Sequence, residues 1–179
     1  MYSVESFMLD KEKLILIVNN AFMSVSYPVD DDLTVHPLGF DEQFYESIKE
    51  KRWKDLGSQF LMINYDCIGL LTPKGFQYYL PAFLITDINN GTAIFNHLLN
   101  CMLDTGVEDS SPIKSISGAQ WYFERMSLLS VEQKKCLIEY FNFNILYYND
   151  LLDEEILNIN KVIDKLEESI EKEQKGSGF

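Results

Sequence analysis

Two histidines and three cysteines are the residues of this sequence best suited to metal binding or nucleophilic catalysis. His36 lies in a proline-flanked loop and His97 in a predicted helix, and neither belongs to an HExxH, HxH or Cys/His cluster. The cysteines are widely spaced in apolar surroundings without a CxxC pair, which predicts free core thiols rather than a zinc site or disulfide framework; they are Cys67, Cys101 and Cys136. We expect no metal and no cofactor.

Sequence motifs for other catalytic sites are also missing. The chain has no GxSxG, GxxxxGK[ST] or GxGxxG stretch, so neither a serine hydrolase nor a phosphate-binding enzyme is indicated. The 28 carboxylates leave an unrecognised acid/base pair open, and His97 beside Asn96 and Asn100 is a further polar group to consider. We nevertheless expect no catalytic residue and a protein that is not an enzyme.

Acidic residues are the most informative group in the sequence. The formal net charge of −13 at pH 7 argues against binding to nucleic acids or anionic membranes, both of which need Lys and Arg. The stretches 14–48 and 75–113 contain no Lys or Arg, so two loops within them carry negative charge that no local cation compensates. These loops contain the predicted partner-binding residues, Asp30, Asp31, Asp32, Glu108 and Asp109.

Three interpretations apply to these acidic loops. Calcium binding at 30–32 is disfavoured, because an EF-hand loop alternates its ligands and ends in a glutamate. Acidic loops can also attract a basic protein partner and raise its association rate. The third interpretation is that the carboxylates only keep the protein soluble, and the sequence does not separate the last two.

Length and hydrophobic spacing predict how these residues are positioned. The 179 residues, 46% of them hydrophobic, are enough to bury a core, and the apolar residues recur mainly at helical spacing. We expect a mostly α-helical single domain over 1–174, with 175–179 as a flexible tail or a cloning remnant. No signal peptide and no apolar run near the roughly 20 residues that cross a bilayer are found, which predicts a cytoplasmic location.

Local signals predict where most helices begin. The predicted N-terminal residues are Asp10, Asp41, Thr72, Thr92 and Ser130, the last of which forms a capping box with Gln133. Residues 104–118 have the composition of a turn-rich loop. Residues 57–71 and 119–129 are left open between helix and strand, because periodicity does not separate the two for short apolar runs.

A central helix with a proline inside it is predicted for LTPKGFQYYLPAFLI. Its apolar stripe continues past Pro81 and consists of Phe76, Tyr79, Leu80, Phe83 and Leu84. The proline removes the amide donor for the Gln77 carbonyl, so we expect a kinked helix that bends near 77–81 and buries its stripe.

The last predicted helix, 153–174, is amphipathic. Its apolar seam steps by three and four residues and consists of Ile156, Ile159, Ile163, Leu166 and Ile170. The helix either docks on its own domain or forms the seam of a homodimer. Little more than two heptads favours docking, because so short a seam does not specify a free coiled coil.

The central segment resembles the Leu-Thr-Pro-x-x-Phe-x-Tyr-Tyr-Leu-Pro-Ala core of a family of small bacterial proteins of unknown function, which also carries a later Leu-[Ser/Thr]-x-x-Gln helix start. The matching residues are Leu71, Thr72, Pro73, Phe76, Tyr78, Tyr79, Leu80, Pro81, Ala82 and Phe83, then Leu129, Ser130 and Gln133. The resemblance covers part of the chain and implies no catalytic residues.

Small, acidic, motif-free bacterial proteins of this kind are similar, as a class, to immunity proteins. Immunity proteins neutralise a toxin by covering its active site, often with carboxylates that face a basic cleft. The similarity therefore implies a protein partner with a basic surface. The alternative is a self-associating structural or adaptor domain that uses the seam of the last helix.

Overall fold

The computed structural model describes residues 10–35, 42–91, 94–103, 118–148 and 151–176. Within them the chain forms α-helices, short 3-10 helices and no strand, which confirms the predicted mostly α-helical fold. The α-helices are α1 Lys11–Phe22, α2 Glu42–Ile48, α3 Ser58–Ile63, α4 Pro73–Asn90, α5 Ile94–Met102, α6 Gly118–Leu128, α7 Val131–Tyr147 and α8 Asp153–Gly176. The 3-10 helices are Asp30–Asp32, Trp53–Asp55 and Tyr65–Leu70.

Three predicted helix starts are confirmed by side-chain hydrogen bonds. Asp10 and Thr72 each accept the backbone N–H three residues on, at 2.7 Å and 3.0 Å. Ser130 does the same at 3.3 Å and completes the predicted capping box. Each cap satisfies an N–H that the first turn of a helix leaves unpaired. The predicted starts at Asp41 and Thr92 lie outside the described residues.

The two segments left open between helix and strand are helical where they are described. Residues 57–71 contain α3 and the 3-10 helix Tyr65–Leu70, and residues 119–128 belong to α6. Of the predicted loop 104–118, only Gly118 lies within the described residues, and it begins α6.

Helix α4 lies at the centre of the core and contacts α1, α3, α5 and α6. All five residues of its predicted apolar stripe are buried, as expected. The helix continues through Pro81 as one element, and the bend near 77–81 stays a prediction. The residue after its last turn is Gly91, whose φ of 61° lies in the left-handed region that glycine adopts without steric cost.

Helices α1 and α7 run antiparallel. At one end, the side chain of Gln133 donates a 3.2 Å hydrogen bond to the carbonyl of Ala21, near the end of α1. At the other end, the ammonium group of Lys11 lies 4.6 Å from the ring centre of Tyr147, at the end of α7.

Helices α4 and α7 run parallel. Gln77 donates a 3.0 Å hydrogen bond to the side chain of Gln133 near their N-terminal ends. Further along, the hydroxyl of Tyr140 donates a 2.7 Å bond to buried Asp87. The N-terminal ends of α4 and α7 therefore meet the C-terminal end of α1 at one end of the domain.

Helix α8 packs its apolar seam on the chain's own domain, mainly against α7. The seam residues Ile159, Ile163, Leu166 and Ile170 are buried, while Ile156 is half-buried. The structure therefore gives no support to a homodimer through this seam, because its side chains are already covered within one chain. The helix extends to Gly176, two residues beyond the predicted end, and the rest of the predicted tail lies outside the described residues.

None of the described helices, α4 and α8 included, combines the length and the apolar character needed to cross a lipid bilayer.

Candidate functional site

The predicted carboxylates at 30–32 form a 3-10 turn, here called the acidic turn, Asp30–Asp32. The acidic turn lies against the start of α4. There Thr72 forms one hydrogen bond with the turn and one with Leu33, the residue after it. The Thr72 N–H donates a 2.9 Å hydrogen bond to the carbonyl of Leu33. The Thr72 hydroxyl donates a 2.5 Å bond to the carbonyl of Asp32. The residue that caps α4 therefore also holds the acidic turn.

Gly75 permits this close approach of the acidic turn to α4. A Cβ atom at position 75 would lie 2.2 Å from the carbonyl oxygen of Leu33, well inside van der Waals contact. Position 75 therefore has room only for glycine while the Leu33 carbonyl lies this close to α4.

Tyr27 links the acidic turn to the end of α2. Its hydroxyl donates a 2.5 Å hydrogen bond to the carboxylate of Asp30 and accepts a 2.7 Å bond from the Glu50 backbone N–H. Burial and the bond to Asp30 raise the pKa of Tyr27 to about 12. Glu50 has a φ of 60°, a conformation that non-glycine residues adopt only at a cost of order 1–3 kcal/mol.

The two consecutive tyrosines of the central motif support the same region. The Tyr78 ring makes edge contacts with Tyr27 and Tyr79, at centroid distances of 5.2 Å and 5.0 Å. The Tyr79 hydroxyl lies 2.6 Å from the carbonyl of Ile48 and 2.9 Å from that of Lys51, both of which can accept its proton. Burial raises the pKa of Tyr79 well above its ordinary value, so it remains a donor. The motif thus stabilises the loops beside the acidic turn.

The expectation of uncompensated charge is wrong for Asp32. Its carboxylate forms a 2.7 Å ion pair with Lys74, in the first turn of α4. Lys74 lies 42 positions away in sequence, so a scan of neighbouring cations does not find it. Asp30 is partly exposed and has the neutral Tyr27 hydroxyl as its partner. Asp30 therefore differs from Asp32, because its carboxylate forms no ion pair with a Lys or Arg among the described residues.

A cleft of about 460 Å³ opens beside the acidic turn, where α1, α4 and α7 meet. Its polar lining includes Ser24, Ser26, Tyr27, Lys74, Gln77 and Gln133. Two exposed apolar side chains belong to the same segment: Met23 is 71% exposed and Val29 is 70% exposed. A carboxylate, a tyrosine and exposed apolar residues on a well-held backbone are a combination suited to a protein interface.

The side chains of the other predicted site residues lie outside the described part of the structure. Asp31 is part of the acidic turn, but its side chain lies outside the description. Glu108, Asp109 and His36 lie outside the described residues. The structure therefore brings Asp30 and Asp32 together with Tyr27 and Lys74, and says nothing about the second acidic loop.

Arg125 is a buried charged residue that, like Asp87 and Lys134, no motif of the sequence singles out. Its side chain on α6 is 1% exposed and donates to the carbonyls of Gly69 and Leu71, at 2.7 Å and 2.9 Å. The guanidinium also lies 4.7 Å from the ring centre of Phe76. Burial lowers its pKa to about 10. Arg125 therefore ties α6 to the segment before α4, a role signalled by its position between apolar residues at helical spacing.

His97 and Cys101 lie one turn apart on α5, and a Cβ atom at Gly69 would lie 3.5 Å from Nε2 of His97 and 3.8 Å from the sulfur of Cys101. Nε2 of His97 is buried without a hydrogen-bond partner in the described chain, and its ring makes an edge contact with Tyr65. Burial raises the pKa of the Cys101 thiol, which disfavours the thiolate. No group of three metal-ligating side chains forms among the described residues. This arrangement carries no recognisable catalytic geometry.

Comparisons with known proteins add no assignment to this surface. No family model matches the chain, and neither a curated protein nor a solved structure matches it. The resemblance to a family of small bacterial proteins therefore stays a prediction.

Proposed function

We propose that this protein binds another protein through the acidic turn, as an immunity protein that neutralises a cognate bacterial toxin in the cytoplasm. One observation carries the proposal: Thr72 and Tyr27 hold the acidic turn beside a cleft, with Val29 70% exposed and Asp30 partly exposed. An interface that is ordered before binding loses less conformational entropy on association.

Electrostatics supports a partner with a basic surface. A chain of net charge −13 attracts cationic proteins and raises the rate of productive encounter. In the bound state, Asp30 accepts hydrogen bonds from Lys or Arg of the partner, and Val29 and Met23 contribute apolar contact. Covering a basic active-site cleft in this way excludes the toxin's substrate without any chemical step.

We propose no catalytic role for the chain. The support is the absence of nucleophile and phosphate-binding motifs in the sequence, together with the raised thiol pKa of Cys101 beside His97. Under this proposal, binding and covering the active site are sufficient to neutralise the toxin.

Co-expression with the product of the neighbouring reading frame tests the proposal, with pull-down and growth rescue as measurements. Val29→Lys places a cation at the centre of the surface at a site that is 70% exposed, so the fold tolerates it. We expect binding to weaken about tenfold or more and rescue to be lost. Leu157→Lys, at a site 54% exposed on α8, is the matched control and should bind normally.

Two results would overturn the proposal. One is a neighbouring product that is neither toxic to cells nor retained in the pull-down. The other is a Val29→Lys protein that rescues growth as well as the Leu157→Lys control, which would remove the acidic turn from the interface.

A further inference from the structure

A second surface, separate from the acidic turn, lies between α7 and α8. It is a groove of about 560 Å³ with exposed carboxylates on both sides. Glu139 stands on α7, while Glu167 and Glu171 stand one helical turn apart on α8. Its apolar lining consists of half-buried Ile138 and of the edge of Ile170, 8% of which its own chain leaves exposed. We call this surface the α7/α8 groove.

The walls of the α7/α8 groove are preformed. Both are regular helices, and α8 packs mainly against α7. At the groove itself, fully buried Lys134 of α7 is bonded to Glu173 of α8, which fixes the C-terminal part of α8. A binding partner therefore meets a groove whose backbone needs little rearrangement.

The charge of the groove selects the chemistry of its occupant. Three carboxylates face one lysine, Lys135, so anionic ligands are repelled. Glu171 also contacts Lys175, but both side chains are about two-thirds or more exposed, at 67% and 77%. Such an exposed pair contributes little free energy, so a cation from a partner can replace Lys175.

We propose that the α7/α8 groove binds a basic amphipathic helix of a partner protein. The apolar stripe of that helix lies along Ile138 and the exposed edge of Ile170, and its flanking Lys or Arg residues pair with the carboxylates on the two sides. The arrangement is the helix-in-groove mode of recognition, here with charge complementarity on both flanks. The groove shares no lining residue with the cleft beside the acidic turn, so this proposal does not rest on the proposed immunity function.

Fluorescence anisotropy with the full chain and a labelled 18-residue helical peptide of Lys and Leu tests the proposal. A peptide of the same composition with its amphipathic order scrambled is the peptide control. We expect the amphipathic peptide to bind at least about tenfold more tightly than the scrambled one. Methyl NMR should show shifts at Ile138 and Ile170, with no shift at Ile63, which is exposed on α3.

Charge-reversal variants locate the binding surface. Glu139→Lys with Glu167→Lys should weaken peptide binding about tenfold or more. Glu12→Lys with Glu154→Lys makes the same change in net charge at exposed positions outside the groove and should change binding by less than about threefold. Circular dichroism confirms that each variant remains folded.

Three outcomes would overturn the proposal. Equal weakening by the two charge-reversal pairs would show only non-specific attraction to an acidic chain. Equal binding of the scrambled peptide would remove the role of the apolar lining. Light scattering that shows a dimer, with the methyl shifts of Ile138 and Ile170 dependent on protein concentration, would place a second copy in the groove instead. Because Val29→Lys leaves the groove intact, its peptide binding should be normal even if the immunity proposal fails.

Discussion

The ammonium group of Lys134 in α7 is bonded to the carboxylate of Glu173 in α8, 39 positions later in the chain. The Lys134 side chain has no exposed surface, whereas that of Glu173 is 42% exposed. A lysine is fully buried only when its charge has a partner, since an unpaired buried charge is costly. The pair therefore connects the last helix to the core.

We expect Glu173→Ala to lower the free energy of unfolding by about 2 kcal/mol, because it leaves the Lys134 charge buried without this carboxylate. The estimate is below that for a fully buried pair, since water reaches Glu173. Urea denaturation measures the change. Glu171→Ala, which removes an exposed pair with Lys175, is the control and should leave stability unchanged within error. Equal effects of the two variants would show that the buried pair has no special role.

Gly75→Ala tests the contact between the acidic turn and α4. A Cβ atom at this position meets the Leu33 carbonyl oxygen at 2.2 Å, so one of the two segments must move. We expect the variant to be less stable by about 2 kcal/mol, measured by thermal and urea unfolding. Gly57→Ala is the matched control, because a Cβ atom there meets nothing within 4 Å. A Gly75→Ala protein as stable as Gly57→Ala would contradict this packing.

Tyr27→Phe tests the link between the acidic turn and the end of α2. The variant loses the hydrogen bonds to Asp30 and from the Glu50 N–H, and we expect about 1 kcal/mol of lost stability. Amide hydrogen exchange should become faster at Glu50. The N–H of Thr72, which bonds to Leu33, should exchange as before and serves as an internal reference. Unchanged exchange at Glu50 would show that the tyrosine does not hold this loop.

Cys136 predicts a loss of stability at alkaline pH. Burial raises the pKa of its thiol from 9.0 to about 12, with a smaller contribution from Glu139. Between these values the unfolded chain releases the thiol proton while the folded chain keeps it. The free energy of unfolding therefore falls as pH rises through this window, by at most about 1.4 kcal/mol per pH unit from this group.

Urea unfolding at pH 8 and pH 10 measures this dependence. We expect Cys136→Ala to lose roughly 1 kcal/mol less stability between the two pH values than the unchanged protein. The cavity that alanine leaves lowers the free energy of unfolding equally at both pH values. Its contribution therefore cancels when the change between pH 8 and pH 10 is compared. Identical losses in the two proteins would show that the thiol does not contribute.

Ile163→Asp distinguishes packing within one chain from a homodimer seam. Ile163 is 9% exposed and packs within its own chain, so we expect a loss of about 3 kcal/mol or more of stability. Leu157→Asp, on the exposed side of α8, should be nearly neutral. Light scattering should show a monomer for the unchanged protein. A dimer that the Ile163→Asp variant converts to a folded monomer would restore the homodimer interpretation.

Local features of the sequence predicted the fold well. Asp10, Thr72 and Ser130 were recognisable as caps because each acts on an N–H within its own first turn. Spacing was weaker where apolar runs were short: 57–71 contains both an α-helix and a 3-10 helix. Helix and strand bury a short apolar run equally well, so periodicity does not choose between them. The secondary structure of these residues therefore depends on the segments that pack against them.

By itself, the sequence determined the helical class, the starts of α1, α4, α7 and α8, the buried stripe of α4 and the apolar seam of α8. All of these depend on residues within a few turns of each other. Tertiary structure alone decided that Lys74 neutralises Asp32, that Lys134 pairs with Glu173 inside the core, and that the α8 seam is covered by its own domain. These outcomes join residues that lie far apart in the chain. Charge compensation and burial depend on which helices pack against each other. Periodicity and capping signals are local, so they do not predict that packing.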